Sequence, residues 1–278
     1  MAYAGILDPM PLDVEARVIQ NTRLSPDYNV ITLAAPEIAA ATKPGQFVMV
    51  RPGHGSDPLL RRPFSVFEII RSGNRIEGLS LLSKRIGVTT RLLYDAVYGD
   101  VISCLGPLGR PFEPVSSPAE AWMVAGGVGL APFATLTEAL QERATKMTLF
   151  YGARTGAELF YLDWFASRDV RIVLSTDDGS TGERGKVTGP LEQALRETDA
   201  EVMIYACGPE KMLEAVSRVA GKYKRAAQVS VERVMGCGMG GCYSCVIPVH
   251  ETGGGHHFVR SCLAGPVFTA ADLVWDHD

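Results

Sequence analysis

The stretch that decides the reading of this chain is Gly236-Cys-Gly-Met-Gly-Gly-Cys-Tyr-Ser-Cys245, followed after sixteen residues by a last cysteine, Cys262. Its thiols, Cys237, Cys242, Cys245 and Cys262, follow C-x4-C-x2-C with a distant fourth member, a ligand spacing of [2Fe–2S] clusters. Three thiolates must converge on one small inorganic core from a single loop. The chain therefore curls with its N–H groups inward. Gly236, Gly238, Gly240 and Gly241 permit this, because a residue without Cβ lets backbone approach closely. Inward N–H groups also donate to the cluster sulfurs, one lever on its potential. A structural zinc site is the alternative, but zinc usually takes two short C-x2–4-C knuckles. A disulfide pair belongs to secreted proteins, and nothing here suggests secretion. His256 and His257 raise a Rieske centre, in which two His replace two Cys, yet all four Cys are present. The two His read better as an exposed tip after Gly253-Gly-Gly255.

Outward from this loop, the composition bounds the rest. The chain has 278 residues, enough for two or three domains. At 46% hydrophobic and 21% charged it is ordinary globular material. A formal charge of −4 without basic runs argues against a nucleic-acid partner. No run approaches ~18 apolar residues, so no membrane helix is expected. No signal-peptide pattern opens the chain, and six cysteines suit ligands plus free thiols in a reducing, cytoplasmic setting.

Residues 1–115 read as antiparallel β. Val14–Val18 alternates apolar with charged, Tyr28–Leu33 is rich in β-formers, and Pro44-Gly45 turns into Gln46–Val50. Short strands between turns suggest a barrel, whose closure removes unpaired edges. Within it, Arg62-Pro63-Phe64-Ser65 packs a charge, a fixed φ, an aromatic and a hydroxyl together; alone it reads equally as a capped edge strand. Gly87-Val-Thr89-Thr90 feeds a helix whose N-terminus suits a phosphate.

Residues 116–228 alternate strand with helix, predicting a parallel sheet with ligands at the carboxyl ends of its strands. The strands are Ala121–Ala125, Met147–Tyr151, Val170–Leu174 and Val202–Ala206. Two glycine turns mark that edge: Gly126-Gly127-Val-Gly129 after the first strand, and Cys207-Gly208-Pro209 after the last. Neither is the G-x-G-x-x-G fingerprint, and each alone is weak. Together they make a nucleotide cleft credible. After the strand ending near Ser175 stand Thr176-Asp177-Asp178; acidic groups suit ribose hydroxyls and repel a 2′-phosphate, so NAD is expected rather than NADP. Residues 229–278 form the expected cluster domain.

These pieces resemble the ferredoxin–NADP reductase superfamily, and within it the electron-transfer subunit of type B dihydroorotate dehydrogenase. Leu60-Arg-Arg-Pro-Phe-Ser65, Leu105-Gly-Pro-Leu-Gly109, Met235–Cys245 and Ser261-Cys-Leu-Ala-Gly-Pro-Val-Phe268 carry the likeness over essentially the whole chain. The resemblance implies a multidomain protein: an antiparallel β-barrel for FAD, an α/β nucleotide domain for NAD, and a small [2Fe–2S] domain. It implies FAD contacts from Arg62, Pro63, Phe64, Ser65, Leu82, Ser83 and Lys84. It places the flavin pyrophosphate at Thr89 and Thr90, although Thr89 stands where the family has a second Gly. It implies NAD contacts from Gly126, Gly127, Gly129, Cys207, Gly208 and Pro209, and cluster ligation by the four cysteines. No general base is expected in this chain. A hydride carries two electrons and a [2Fe–2S] cluster accepts one, so a flavin is needed between them. The resemblance implies a hetero-oligomer, a heterotetramer with an FMN-containing dihydroorotate-oxidising subunit, active in pyrimidine biosynthesis. The alternative is the equivalent subunit of a ferredoxin:NADP oxidoreductase, sulfide dehydrogenase or hydrogenase. Met235, Met239 and Tyr243 are expected at a partner interface or packed around the cluster, and flavin and cluster are expected to be held independently in separate domains.

Overall fold

The computed structural model describes residues 10–53 and 58–275. The chain divides into two compact units. The first runs to Pro111 and takes in Arg233–Val246 and Arg260–Pro266. The second holds Phe112–Glu232, Ile247–Val259 and the residues from Val267 onward. The segment expected as a third domain, 229–278, is thus shared between them.

In the first unit the elements are β1 (Leu12–Arg23), β2 (Tyr28–Ala34), α1 (Pro36–Ala41), β3 (Phe47–Pro52), β4 (Arg62–Ser65), β5 (Ile69–Ser72), β6 (Arg75–Lys84), α2 (Val88–Asp95) and β7 (Val101–Leu108). Among the described residues, seven antiparallel strands lie in the order β4-β3-β7-β1-β2-β6-β5. Just after β4 the chain crosses to β6: Phe67 N–H donates to Ser80 O, and Ser80 N–H to Glu68 O, both at 2.9 Å. These bonds curl the antiparallel sheet into a half-barrel, with β4 and β5 at its ends.

The run Phe47-Val-Met-Val50 is apolar without alternation because both faces of β3 are buried. Val48 and Val50 point into the barrel core with Ile31, Leu33, Leu79 and Leu81. Phe47 and Met49 point the other way, with Leu105 and Leu108 of β7, and pack against Met235, Cys245 and Cys262. One strand therefore supports both the barrel and the cysteine loop.

In the second unit the elements are β8 (Glu120–Gly126), α3 (Pro132–Gln141), β9 (Met147–Ala153), α4 (Leu162–Ala166), β10 (Val170–Thr176), β11 (Glu183–Arg184), α5 (Thr188–Glu197), β12 (Val202–Cys207), α6 (Glu210–Lys222) and β13 (Ala226–Ser230). Of the later elements, β14 (Val246–His250), β15 (His256–Arg260) and β16 (Val267–Thr269) fall largely in this unit, and α7 (Ser261–Ala264) in the first. The described sheet order is β11-β10-β9-β8-β12-β13-β16, parallel except for β16 at the edge. The chain builds outward from β8 to β10 and then returns to the other side of β8. That reversal puts the topological switch point between β8 and β12, and ligands of such sheets sit outside the carboxyl ends of the strands there. No helix among the described residues is long and apolar enough to cross a membrane.

Candidate cofactor sites

All six cysteines are unpaired thiols. Within the loop, Cys237 Sγ accepts N–H bonds from Met239 at 3.4 Å and Gly241 at 3.2 Å. Cys242 Sγ lies 3.1 Å from Ser244 Oγ, which itself accepts the Gly236 N–H at 2.9 Å. The Ser244 hydroxyl and N–H, with Cys237 beside them, pull the Cys242 thiol down to about 6. Cys262 sits deeper; burial and the neighbouring Cys245 push it up to about 12, against the pull of the Gly240 N–H. Cys245 and Cys262 pack in one buried cluster, while Cys237 and Cys242 lie nearer the surface. Four thiols at this spacing suit an iron–sulfur cluster better than the two short knuckles usual for zinc. His256 and His257 are exposed on β15, with His257 Nδ1 3.3 Å from Glu251.

Arg62, Pro63, Phe64 and Ser65 form β4, paired to β3 on one edge and terminal in the sheet on the other. Leu82, Ser83 and Lys84 end β6, opposite Val30, Asn29 and Tyr28 of β2. Beyond the Ser80 bonds, β6 has a strand partner only in β2 among the described residues. The two expected flavin strands therefore border one open seam of the half-barrel, where backbone edges can meet the polar rim of a flat ring. Leu82 and Ser83 are buried and the Ser83 hydroxyl finds no partner. Lys84 Nζ lies over the Tyr28 ring at 4.8 Å.

Thr89 and Thr90 lie in the first turn of α2. The Thr90 hydroxyl accepts the Ile86 and Gly87 N–H groups, both at 2.9 Å, and donates to Gly87 O at 3.1 Å. The hydroxyl is engaged within the turn here, and the helix N–H groups are further donors for an anion. Sequence reasoning missed what anchors α2 from behind. Asn21 Nδ2 donates to the carbonyls of Leu93, Tyr94 and Ala96 at 2.9, 3.2 and 2.8 Å, and Asn29 Nδ2 donates to Asn21 Oδ1 at 2.8 Å. Two Asn within two strands carry no helix-cap signal, because the helix they cap is some seventy residues away.

The two glycine turns meet. Gly126 ends β8, Gly127 and Gly129 form the short turn ahead of α3, and Cys207-Gly208-Pro209 follows the adjacent β12. A Cβ on Gly129 would overlap the Cys207 carbonyl, and one on Gly126 would come within 2.7 Å of Met212 Sδ. Gly127 takes φ +55, with open space beyond it. Burial pushes the Cys207 thiol up to about 12, which keeps it protonated and unreactive near neutral pH. Asp177, just past β10, is 2.8 Å from Lys186 Nζ, and Asp178 is held low by the Ser180 hydroxyl and N–H. Arg154 is paired with Glu158.

Residues 232–274 match the iron-sulfur cluster binding domain of dihydroorotate dehydrogenase B, and residues 123–218 match the oxidoreductase NAD-binding domain. The electron transfer subunit of dihydroorotate dehydrogenase B (NAD(+)) from Desulforamulus reducens is 34% identical over 264 residues, covering 94% of this chain and 98% of that one. Its counterpart from Geobacillus thermodenitrificans is 37% identical over 248 residues, covering 88% and 91%. The chain belongs to this family. A solved NADH-dependent reduced ferredoxin-NADP oxidoreductase, described for flavin-based electron bifurcation, is 26% identical with a TM-score of 0.82, covering 94% of this chain and 90% of that one. A ferredoxin NADP+ reductase from Neisseria gonorrhoeae, 21% identical with a TM-score of 0.61 and covering 76% of this chain and 91% of that one, shares the fold. As a member of the dihydroorotate dehydrogenase B electron-transfer family, the chain is an oxidoreductase that works with FAD, NAD and an iron–sulfur cluster.

Two expectations about the loop change. Met235 is 4% exposed and packs beneath the cysteines, so it is core; Met239 and Tyr243, at 47% and 61%, remain at the surface. The flavin strand and the cysteine loop are also not in separate packing units. β3 pairs with β4 on one edge and packs on Cys245 and Cys262 with one face.

Proposed function

We propose that this chain is the electron-transfer half of a cytoplasmic hetero-oligomer. Its partner would be an FMN-containing subunit that oxidises dihydroorotate, and the pair would couple that oxidation to NAD+ reduction in pyrimidine biosynthesis. The observation that carries the reading is the packing of Cys245 and Cys262, with the loop that also bears Cys237 and Cys242, against the strand that pairs with Arg62–Ser65. When bound, FAD and the cluster supply the conversion between two-electron hydride transfer and single-electron transfer. The chain's own residues do the holding. The four thiolates grip the cluster, and N–H groups of the loop face their sulfurs. The edges of β4 and β6 frame the flavin ring, and the first turn of α2 presents N–H groups to its pyrophosphate. The turns at Gly126–Gly129 and Cys207–Pro209 let a dinucleotide pyrophosphate approach backbone that side chains would block. A complete reductase with a cluster beside its flavin strand has use for that cluster only when another redox centre docks. The names of the 31–37% identical relatives support the same partner.

The test is purification of the chain alone and with a co-expressed candidate partner. Alone it should reduce dyes with NADH and leave dihydroorotate untouched. With the partner, dihydroorotate-dependent NAD+ reduction should appear. Dihydroorotate oxidation by the isolated chain, or a partner acting on another substrate, overturns the assignment. The likeness to the NADH-dependent ferredoxin-NADP oxidoreductase makes a ferredoxin-linked complex the second reading, recognised by ferredoxin-dependent turnover. NAD rather than NADP is proposed chiefly on Asp178, since Asp177 is paired with Lys186 as Arg154 is with Glu158. The expected kcat/KM ratio favours NADH by tenfold or more, about 1.4 kcal/mol, and a preference for NADPH overturns it.

A further inference from the structure

Arg260 stands at the entry to α7, two residues ahead of Cys262, and its side chain turns back onto the cysteine loop. Its Nη1 donates to the Gly240 carbonyl oxygen at 2.7 Å, and its guanidinium lies 4.6 Å from the centroid of the Tyr243 ring. The carbonyl of Gly240 and the N–H of Gly241 belong to one planar trans peptide and point in opposite directions. A clamp on that carbonyl therefore aims that N–H. The Gly241 N–H is the group that donates to Cys237 Sγ at 3.2 Å. The clamped peptide therefore serves a ligand thiol directly, through the Gly241 N–H.

The clamp acts where the loop can hold itself least. Gly240 takes φ +82, and a Cβ there would overlap Leu263 Cδ1, so no side chain can replace glycine and anchor the turn from within. Tyr243 takes φ +57, a left-handed conformation that costs a non-glycine residue of order 1 kcal/mol or more and persists only where its surroundings hold it. Arg260 reaches both residues.

We propose that Arg260 is a positioning residue that raises the reduction potential of the cluster, by fixing the 240–241 peptide with its N–H toward the Cys237 sulfur. This rests on the reading of the four cysteines as a [2Fe–2S] site. Reduction adds negative charge that spreads onto the sulfurs, and oriented N–H donors stabilise that charge more in the reduced state than in the oxidised one. The guanidinium charge acts in the same direction at longer range. Loss of the clamp lowers the potential without removing a ligand.

The experiment is an EPR-monitored redox titration of the full chain, wild type beside Arg260→Ala, Arg260→Gln and Arg260→Lys. In Arg260→Ala the one-electron equilibrium with a fixed mediator should shift about tenfold toward the oxidised cluster, ~59 mV. Arg260→Gln keeps a neutral donor and Arg260→Lys keeps a charge, so both should fall between Ala and wild type. Their order says whether orientation or charge contributes more. Unchanged potentials in all three variants, with cluster absorbance intact, overturn the proposal. Loss of the cluster from all three, Lys included, overturns it too, since Arg260 would then serve folding alone. A wild-type chain with no cluster signal overturns the underlying reading instead.

Discussion

The chain sets cysteine beside glycine in two turns, and the two environments treat the thiol in opposite ways. In Gly236–Cys245 the sulfurs face donors: the Ser244 hydroxyl and N–H bring Cys242 down to about 6, and two backbone N–H groups reach Cys237. In Cys207-Gly208-Pro209 the sulfur sits at the end of a central strand, and burial takes it up to about 12 against the pull of the Ser230 hydroxyl. The glycines differ in the same way. Gly240 makes room so that the loop can wrap the sulfurs, whereas Gly129 makes room so that one turn can lie on the backbone of another. A Cys-Gly turn becomes a ligand loop where its N–H groups converge on sulfur, and a nucleotide turn where they point outward from a sheet edge.

The largest expected effect separates the two cysteines. Cys245→Ser should abolish the cluster absorbance of anaerobically purified protein, while Cys207→Ser leaves it unchanged. A cluster lost in both would mean that the turns are one site. Next come the glycines. Gly240→Ala and Gly129→Ala each force a Cβ into packed atoms, at a cost of about 1–3 kcal/mol, read as a lower Tm. Gly240→Ala should also lower iron content, whereas Gly129→Ala should raise the KM for NADH at full iron content. Iron loss from Gly129→Ala breaks the comparison. The smallest effect is chemical. With iron removed by chelation, iodoacetamide should label Cys242 at pH 7, above its half-point, and less as pH falls through about 6. Cys207 should stay unlabelled up to pH 9, where about one thiol in a thousand is ionised. Mass spectrometry gives both rates, and equal labelling at pH 8 contradicts the contrast.

Much of this was legible before any fold was in view. The strands of the nucleotide unit fall where short apolar runs predict them, within a residue or two at the ends, because a buried parallel strand must be apolar along its whole length. β3 shows the limit. Its unbroken run, Phe47–Val50, announces burial on both faces but says nothing of what covers the second face. That cover is a cysteine loop almost two hundred residues later. Thr90 shows another limit, since a hydroxyl at a helix start serves a ligand or its own turn equally well until the N–H groups of Ile86 and Gly87 are seen to claim it.

By itself the sequence determined what depends on neighbours in the chain: the ligand spacing of Cys237, Cys242 and Cys245, the glycines that let a loop curl, the strand–helix alternation and the acidic end of β10. Spacing and backbone freedom are local quantities, carried by a few consecutive residues. Tertiary structure alone decided that Cys245 and Cys262 share one buried cluster, that Met235 is core, that the turns after β8 and β12 touch, and that Arg260 clamps Gly240. Each of those depends on which elements become neighbours in space, and that is set by sheet order and by the burial of apolar faces against distant segments, a property of the whole chain.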